Sequence, residues 1–141
     1  MTAYTLPDSR AAVTNALRGL LADRPEPFVQ GVTVGTRRWV ADHSPESPGR
    51  LPYVLVASDG ATPVHWPAAV RDLVRITAWG ETEDDAWDLA GLCLGLLADH
   101  RDRVLRGLRP AGSLLRATDR DTQTPMCSGL LNATLRPVPA A

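Results

Sequence analysis

Asp72-Leu73-Val74-Arg75-Ile76-Thr77-Ala78-Trp79-Gly80, followed at once by Glu81-Thr82-Glu83-Asp84-Asp85-Ala86-Trp87-Asp88-Leu89-Ala90, changes its hydrophobic period within one short turn. Up to Trp79 the period is two: Val74, Ile76 and Ala78 share one face and Trp79 lies on the other, the pattern of a half-buried strand. Gly80 breaks it. After Thr82 the period becomes about 3.6, with Ala86, Leu89, Ala90, Cys93, Leu96 and Leu97 on one stripe, so a helix is expected over 82–98. The Thr82 hydroxyl is placed to cap a free amide while Asp85 reaches back, and three consecutive acids complement the positive helix end. A wide apolar stripe straight after a strand must pack on a sheet or on another helix.

Upstream, Pro7-Asp8-Ser9 reads as the cap of a helix over 11–21, with Val13, Leu17, Leu20 and Leu21 on one face. Phe28 to Val40 reads as a first strand, and the Pro- and Ser-rich 42–52 stretch as a surface loop. Tyr53 to Ser58 is a short apolar strand turned by Asp59-Gly60, and 61–69, holding Pro63 and Pro67, reads as a second irregular loop. Val104 to Ala117 is ambiguous, with 113–118 open to an extended reading. Asp119 to Gln123 has hairpin polarity, Cys127 to Leu135 alternates as a last strand, and 137–141 is a short tail. The fold class is therefore α+β: a mixed or antiparallel sheet of about four to five strands with two main helices packed on it, in one compact domain over 1–141.

Fifteen basic residues against sixteen acidic ones leave a net charge of −1, so bulk electrostatics give little attraction to nucleic acid. Every basic residue is arginine, which reads as codon bias of a GC-rich genome. No apolar run is long enough to span a bilayer and the first residues lack a signal-peptide pattern, so the protein is expected to stay where it is made. Cys93 and Cys127 read as buried thiols.

No catalytic residue, metal site or cofactor is expected from the sequence. His43, His65 and His100 are isolated and lie in no metal-ligand spacing. No Gly-rich phosphate loop or nucleophile elbow occurs. His65 with Asp59 and Asp72 is the only grouping with acid–base potential. The four tryptophans, Trp39, Trp66, Trp79 and Trp87, read either as packing residues or, near Arg37, Arg38, Arg71 and Arg75, as protein-interface residues.

The stretch from Asp72 to Ala90, with Pro52-Tyr53-Val54-Leu55-Val56 before it and Met126 to Arg136 after it, resembles the tail terminator (tail completion) proteins of long-tailed phages. The resemblance implies a structural virion protein of the neck, a head–tail connector component. In it a homo-hexameric ring caps the head-proximal end of the tail tube, stops tube polymerisation and presents the head-joining surface. The partners it implies are further copies of the chain, the major tail tube protein and a head–tail stopper or connector protein. Genomic double-stranded DNA passes through the lumen without specific binding, and no membrane is involved. The protein would reside in the host cytoplasm during assembly and then in the virion. Expected contact segments are the 42–50 loop, the 59–70 loop with Trp66, and the 118–125 turn with Arg120 and Asp121. Arg71, Asp72 and Arg75 are candidates for ion pairs between neighbours. Two other readings stand beside it: another neck component, such as a stopper or head completion protein, and a small host enzyme or ligand-binding domain built around His65.

Overall fold

The computed structural model describes residues 3–40 and 50–140. In chain order they form β1 (Tyr4–Thr5), α1 (Ser9–Leu21), a single 3-10 turn (Pro27–Val29), β2 (Thr33–Gly35), β3 (Tyr53–His65), β4 (Ala69–Trp79), α2 (Glu83–Ala98), β5 (Leu105–Thr118), β6 (Pro125–Leu135) and β7 (Val138–Pro139). The main sheet is five-stranded and mixed, in the order β2-β3-β4-β6-β5, with β2 parallel to β3 and the other pairs antiparallel. The expected α+β class holds.

Both helices start where their side chains cap them. Asp8 accepts the Ala11 amide at 3.3 Å and Thr82 accepts the Asp85 amide at 3.1 Å. Both lie on one face of the sheet, where Val13, Leu17, Leu89, Cys93 and Leu97 close over Val54, Val56, Val74, Ile76, Leu131 and Ala133. Burying such side chains is worth about 1.5–3 kcal/mol each, which makes this layer the principal source of stability. Gly80 turns β4 into α2 at close quarters: a Cβ there would lie 2.7 Å from the Ala86 amide nitrogen.

Several expected boundaries move. Phe28 to Val40 is not one strand, because Pro27–Val29 forms the 3-10 turn, Gly31 takes φ +76°, and only Thr33–Gly35 pairs. Asp59-Gly60 does not reverse the chain. Between the pairs Ser58↔Val74 and Ala61↔Asp72, β3 carries one residue more than β4, a bulge with Gly60 at φ +123°. The 61–69 stretch is the arm of a long hairpin whose reversal lies at Trp66–Ala68. Pro63 is tolerated because, among the described residues, β2 pairs β3 only over Tyr53–Leu55 and the rest of β3 is an edge that needs no ladder donor on that side. The ambiguous 104–117 segment is the opposite edge strand, β5, which carries Pro110 and a second bulge near Gly112 for the same reason. Of the expected tail, residues 138–140 are pinned: Val138–Pro139 pairs antiparallel with Tyr4–Thr5, and Ala140 donates to the Ala3 carbonyl at 2.8 Å.

Candidate assembly surface

The helices cover one face of the sheet, and the pairing register states what the other face carries. Its rungs are Tyr53–Trp79–Met126–Ala117, Leu55–Thr77–Ser128–Leu115, Ala57–Arg75–Leu130–Ala111, Leu73–Asn132–Arg109 and Arg71–Thr134–Gly107. The first rung is closed off by Trp39, which packs with Tyr53 and Trp79 into a small second core. Further along, Leu55, Leu73 and Leu130 are only half-buried and Leu115 is 65% exposed. Among the described residues no helix covers this face; Leu73 and Leu130 are diagonal neighbours that form a short apolar strip at its centre, Leu55 and Leu115 flank the Thr77–Ser128 pair, and arginines lie at its far end.

Asp119 holds the Trp79 end together. Its carboxylate accepts the Trp79 indole N–H at 2.9 Å, the Asp121 and Thr122 amides at 2.9 and 3.3 Å, and Arg38 at 3.1 Å. Burial pushes this carboxyl upward, but the hydrogen bonds from Trp79, the two amides and Arg38 outweigh it and leave it below its ordinary value. The Tyr53 hydroxyl donates to the Arg37 carbonyl, and burial raises that phenol.

At the other end, every residue from Asp59 to Ala68 is exposed, so the β3–β4 hairpin stands off the body. Trp66 at its tip is 48% exposed and meets Tyr4 edge-on, with ring centroids 6.4 Å apart. The β1–β7 ribbon is therefore tied to the hairpin and adds exposed Leu6 and Val138 to the exposed Val64 and Trp66.

The expected contact residues divide among these regions. Arg71 and Arg75 project on the uncovered face, Arg75 reaching Asp59 at 3.5 Å. Trp66 sits at the hairpin tip. Arg120 and Asp121 lie on the β5–β6 turn, with Asp121 at 3.5 Å from Arg38. Asp72 is a correction: at 1% exposure it points into the helix-covered core, where its Oδ2 accepts the Ser58 hydroxyl at 2.7 Å and the Ser9 hydroxyl. Strand alternation decides this, since Arg71 and Arg75 share one face and Asp72 the other. Residues 42–49 of the expected loop, His43 included, lie outside the described residues.

The His65 grouping does not assemble. Asp72 is buried and Asp59 pairs with Arg75, while His65 stands opposite Ala69, three rungs or about 10 Å beyond Asp72 along β4. Of the tryptophans, Trp39 and Trp79 are core residues. Trp87 carries the Arg116 guanidinium 4.3 Å above its ring, and Arg116 also meets Glu83 at 3.2 Å. Sequence reasoning missed Leu73, Leu115 and Leu130 as surface residues, although the leucines on both faces of β6 are the trace they leave. It also missed Arg101, Arg106 and Arg109, which become neighbours of Arg71 only through strand pairing.

The chain matches no known family and no curated protein. Among the described residues no helix is long and apolar enough to cross a membrane, and no group of three or more His, Cys, Asp or Glu residues is placed to hold a metal ion.

Proposed function

We propose that the chain is a structural assembly protein of a phage neck: a tail terminator that forms a ring on the head-proximal end of the tail tube, stops its polymerisation and receives the head. The observation that carries this reading is the sheet face that bears no helix among the described residues, where the Leu73–Leu130 strip and, on either side of the Thr77–Ser128 pair, half-buried Leu55 and exposed Leu115 lie between the aromatic cluster and the arginines. Apolar side chains interspersed with arginine and neutral polar ones are the composition of a protein contact. The hairpin tip at Trp66 and the β5–β6 turn at Arg120 and Asp121 lie at opposite ends of the long strands, roughly 35 Å apart, so one subunit has separate ends for tube and neck. The resemblance of the β4–α2 segment to tail terminators supplies the identity of those partners.

The test is the mass of the purified protein in solution, alone and mixed with tail tubes of its own phage, with electron microscopy of any complex. A ring on one tube end is the expected result. A monomer indifferent to tubes and to connector rings refutes the proposal.

A further inference from the structure

On the uncovered face, at the end away from the aromatic cluster, a cleft of about 670 Å³ is lined by Arg71, Arg101, Arg106, Arg109, Asn132 and Thr134, with Gly107 and Leu108 at its base. Two parts of the chain, about thirty residues apart, bring the arginines together. Arg71 comes from β4, Arg106 and Arg109 from β5, and Arg101 from the link between α2 and β5. Thr134 and Asn132 lie between them on the intervening strand β6, so neutral donors form the floor and guanidiniums the walls. Arg106 is held in place by a 3.1 Å bond from its Nη1 to the Ala68 carbonyl at the hairpin tip.

No carboxylate among the described residues lines this cleft. Among the described residues the arginines that form ion pairs are Arg10, Arg24, Arg38, Arg75 and Arg116, none of them in the cleft. Four like charges gathered without a counter-charge repel one another, and an anion removes that repulsion. We propose that this cleft is a binding site for a ligand carrying at least two linked phosphate groups. One phosphate brings at most two negative charges near neutral pH and leaves half of the four guanidiniums unmatched; two linked phosphates match them. Arg71 and Arg109 stand two strands apart and one rung out of step, about 12 Å between their backbones, and so approach a ligand from opposite sides of Asn132 and Thr134. Planar guanidiniums engage phosphate oxygens in pairs, while the Thr134 hydroxyl and Asn132 amide add donors. An acidic protein partner is the weaker fit, because the lining is mostly polar, with four arginines, Asn132 and Thr134 and no exposed aromatic or aliphatic anchor. The site stands independently of the tail-terminator reading.

The test uses the full chain at about 50 mM salt, where phosphate contacts are strongest. Pyrophosphate is titrated calorimetrically and a labelled single-stranded oligonucleotide is followed by fluorescence anisotropy, each also as competitor of the other. Pyrophosphate alone binding assigns the site to free polyphosphates; mutual competition extends it to a nucleic-acid backbone. In either case the Arg71→Ala/Arg109→Ala variant is expected to bind about tenfold more weakly or worse, and Arg101→Ala, in a connecting segment, to weaken binding with an unchanged circular dichroism spectrum. The surface pair Arg10→Ala/Arg24→Ala, outside the cleft, retains full affinity. The proposal is overturned if neither ligand binds, or if the control pair loses as much as the cleft pair. It is equally overturned if Arg71→Glu/Arg109→Glu dissociates a protein complex while phosphates bind nowhere.

Discussion

Asp72 illustrates how one side chain ties separate parts of the chain. Its carboxylate joins the start of α1, through Ser9, to β3, through Ser58, from a buried position on β4. Asp72→Ala strands both hydroxyls and is expected to cost about 1–3 kcal/mol in urea unfolding, while Asp72→Asn, which keeps an acceptor oxygen and the volume, costs less. Asp119 makes the corresponding link at the other end, and its depressed pKa sets a pH dependence. An acid that is stronger in the folded than in the unfolded chain contributes stability in full above its unfolded value of about 4, and that contribution is lost as pH falls through the folded value. The urea midpoint of the wild type should therefore drop on acidification below about pH 4 more steeply than that of Asp119→Asn; parallel curves would remove Asp119 from the account. The two cysteines are free and buried, and burial pushes the Cys93 thiol up to about 12. Neither should react with a thiol reagent in the native protein at neutral pH, and both should react in denaturant.

At the scale of elements, the β4–α2 unit combines a local signal with a tertiary demand. The change of period, the Gly80 break and the Thr82 cap were all legible, because each depends on neighbours within a few residues. What they did not reveal is how tightly the turn closes. A methyl at Gly80 would meet backbone, the Ala86 nitrogen at 2.7 Å, which cannot swing aside. Gly129 differs: a Cβ there would meet the Leu94 and Leu114 methyl groups at 2.6 and 2.8 Å, the movable ends of flexible side chains. Gly80→Ala is therefore expected to lower stability by about 1–3 kcal/mol in thermal or urea unfolding, and Gly129→Ala by less; the reverse order would refute the close β4–α2 turn. The edge strands were the hard cases. Pro63 and Gly60 in β3, and Pro110 and Gly112 in β5, are breakers in a central strand but are accommodated at an edge, and edge position is a property of the sheet, not of the segment.

For the molecule as a whole, the sheet is covered on one side and open on the other, and assembly should respond to the open side. Leu73→Glu/Leu130→Glu places charges on the apolar strip without touching the helix-covered core. Under the assembly proposal it is expected to leave the subunit folded and shift its sedimentation to the monomer, while removing the exposed Val64–Ala68 tip spares self-association and weakens capping of one ring face. Loss of folding in the first variant would show that the strip is structural. Of this architecture, the amino-acid sequence by itself determined the α+β class, the two capped helices, the β4 and β6 strands and the buried state of the thiols, since those follow from periodicity and from bonds closed within one turn. Strand order, the long hairpin, the pinning of the C-terminal residues to β1, the inward turn of Asp72 and the meeting of Arg71 with Arg101, Arg106 and Arg109 were decided only by tertiary structure. The physical reason is that strand pairing joins residues tens of positions apart through backbone bonds that carry no side-chain signature, and only the completed sheet distinguishes an edge from a centre and a covered face from an open one.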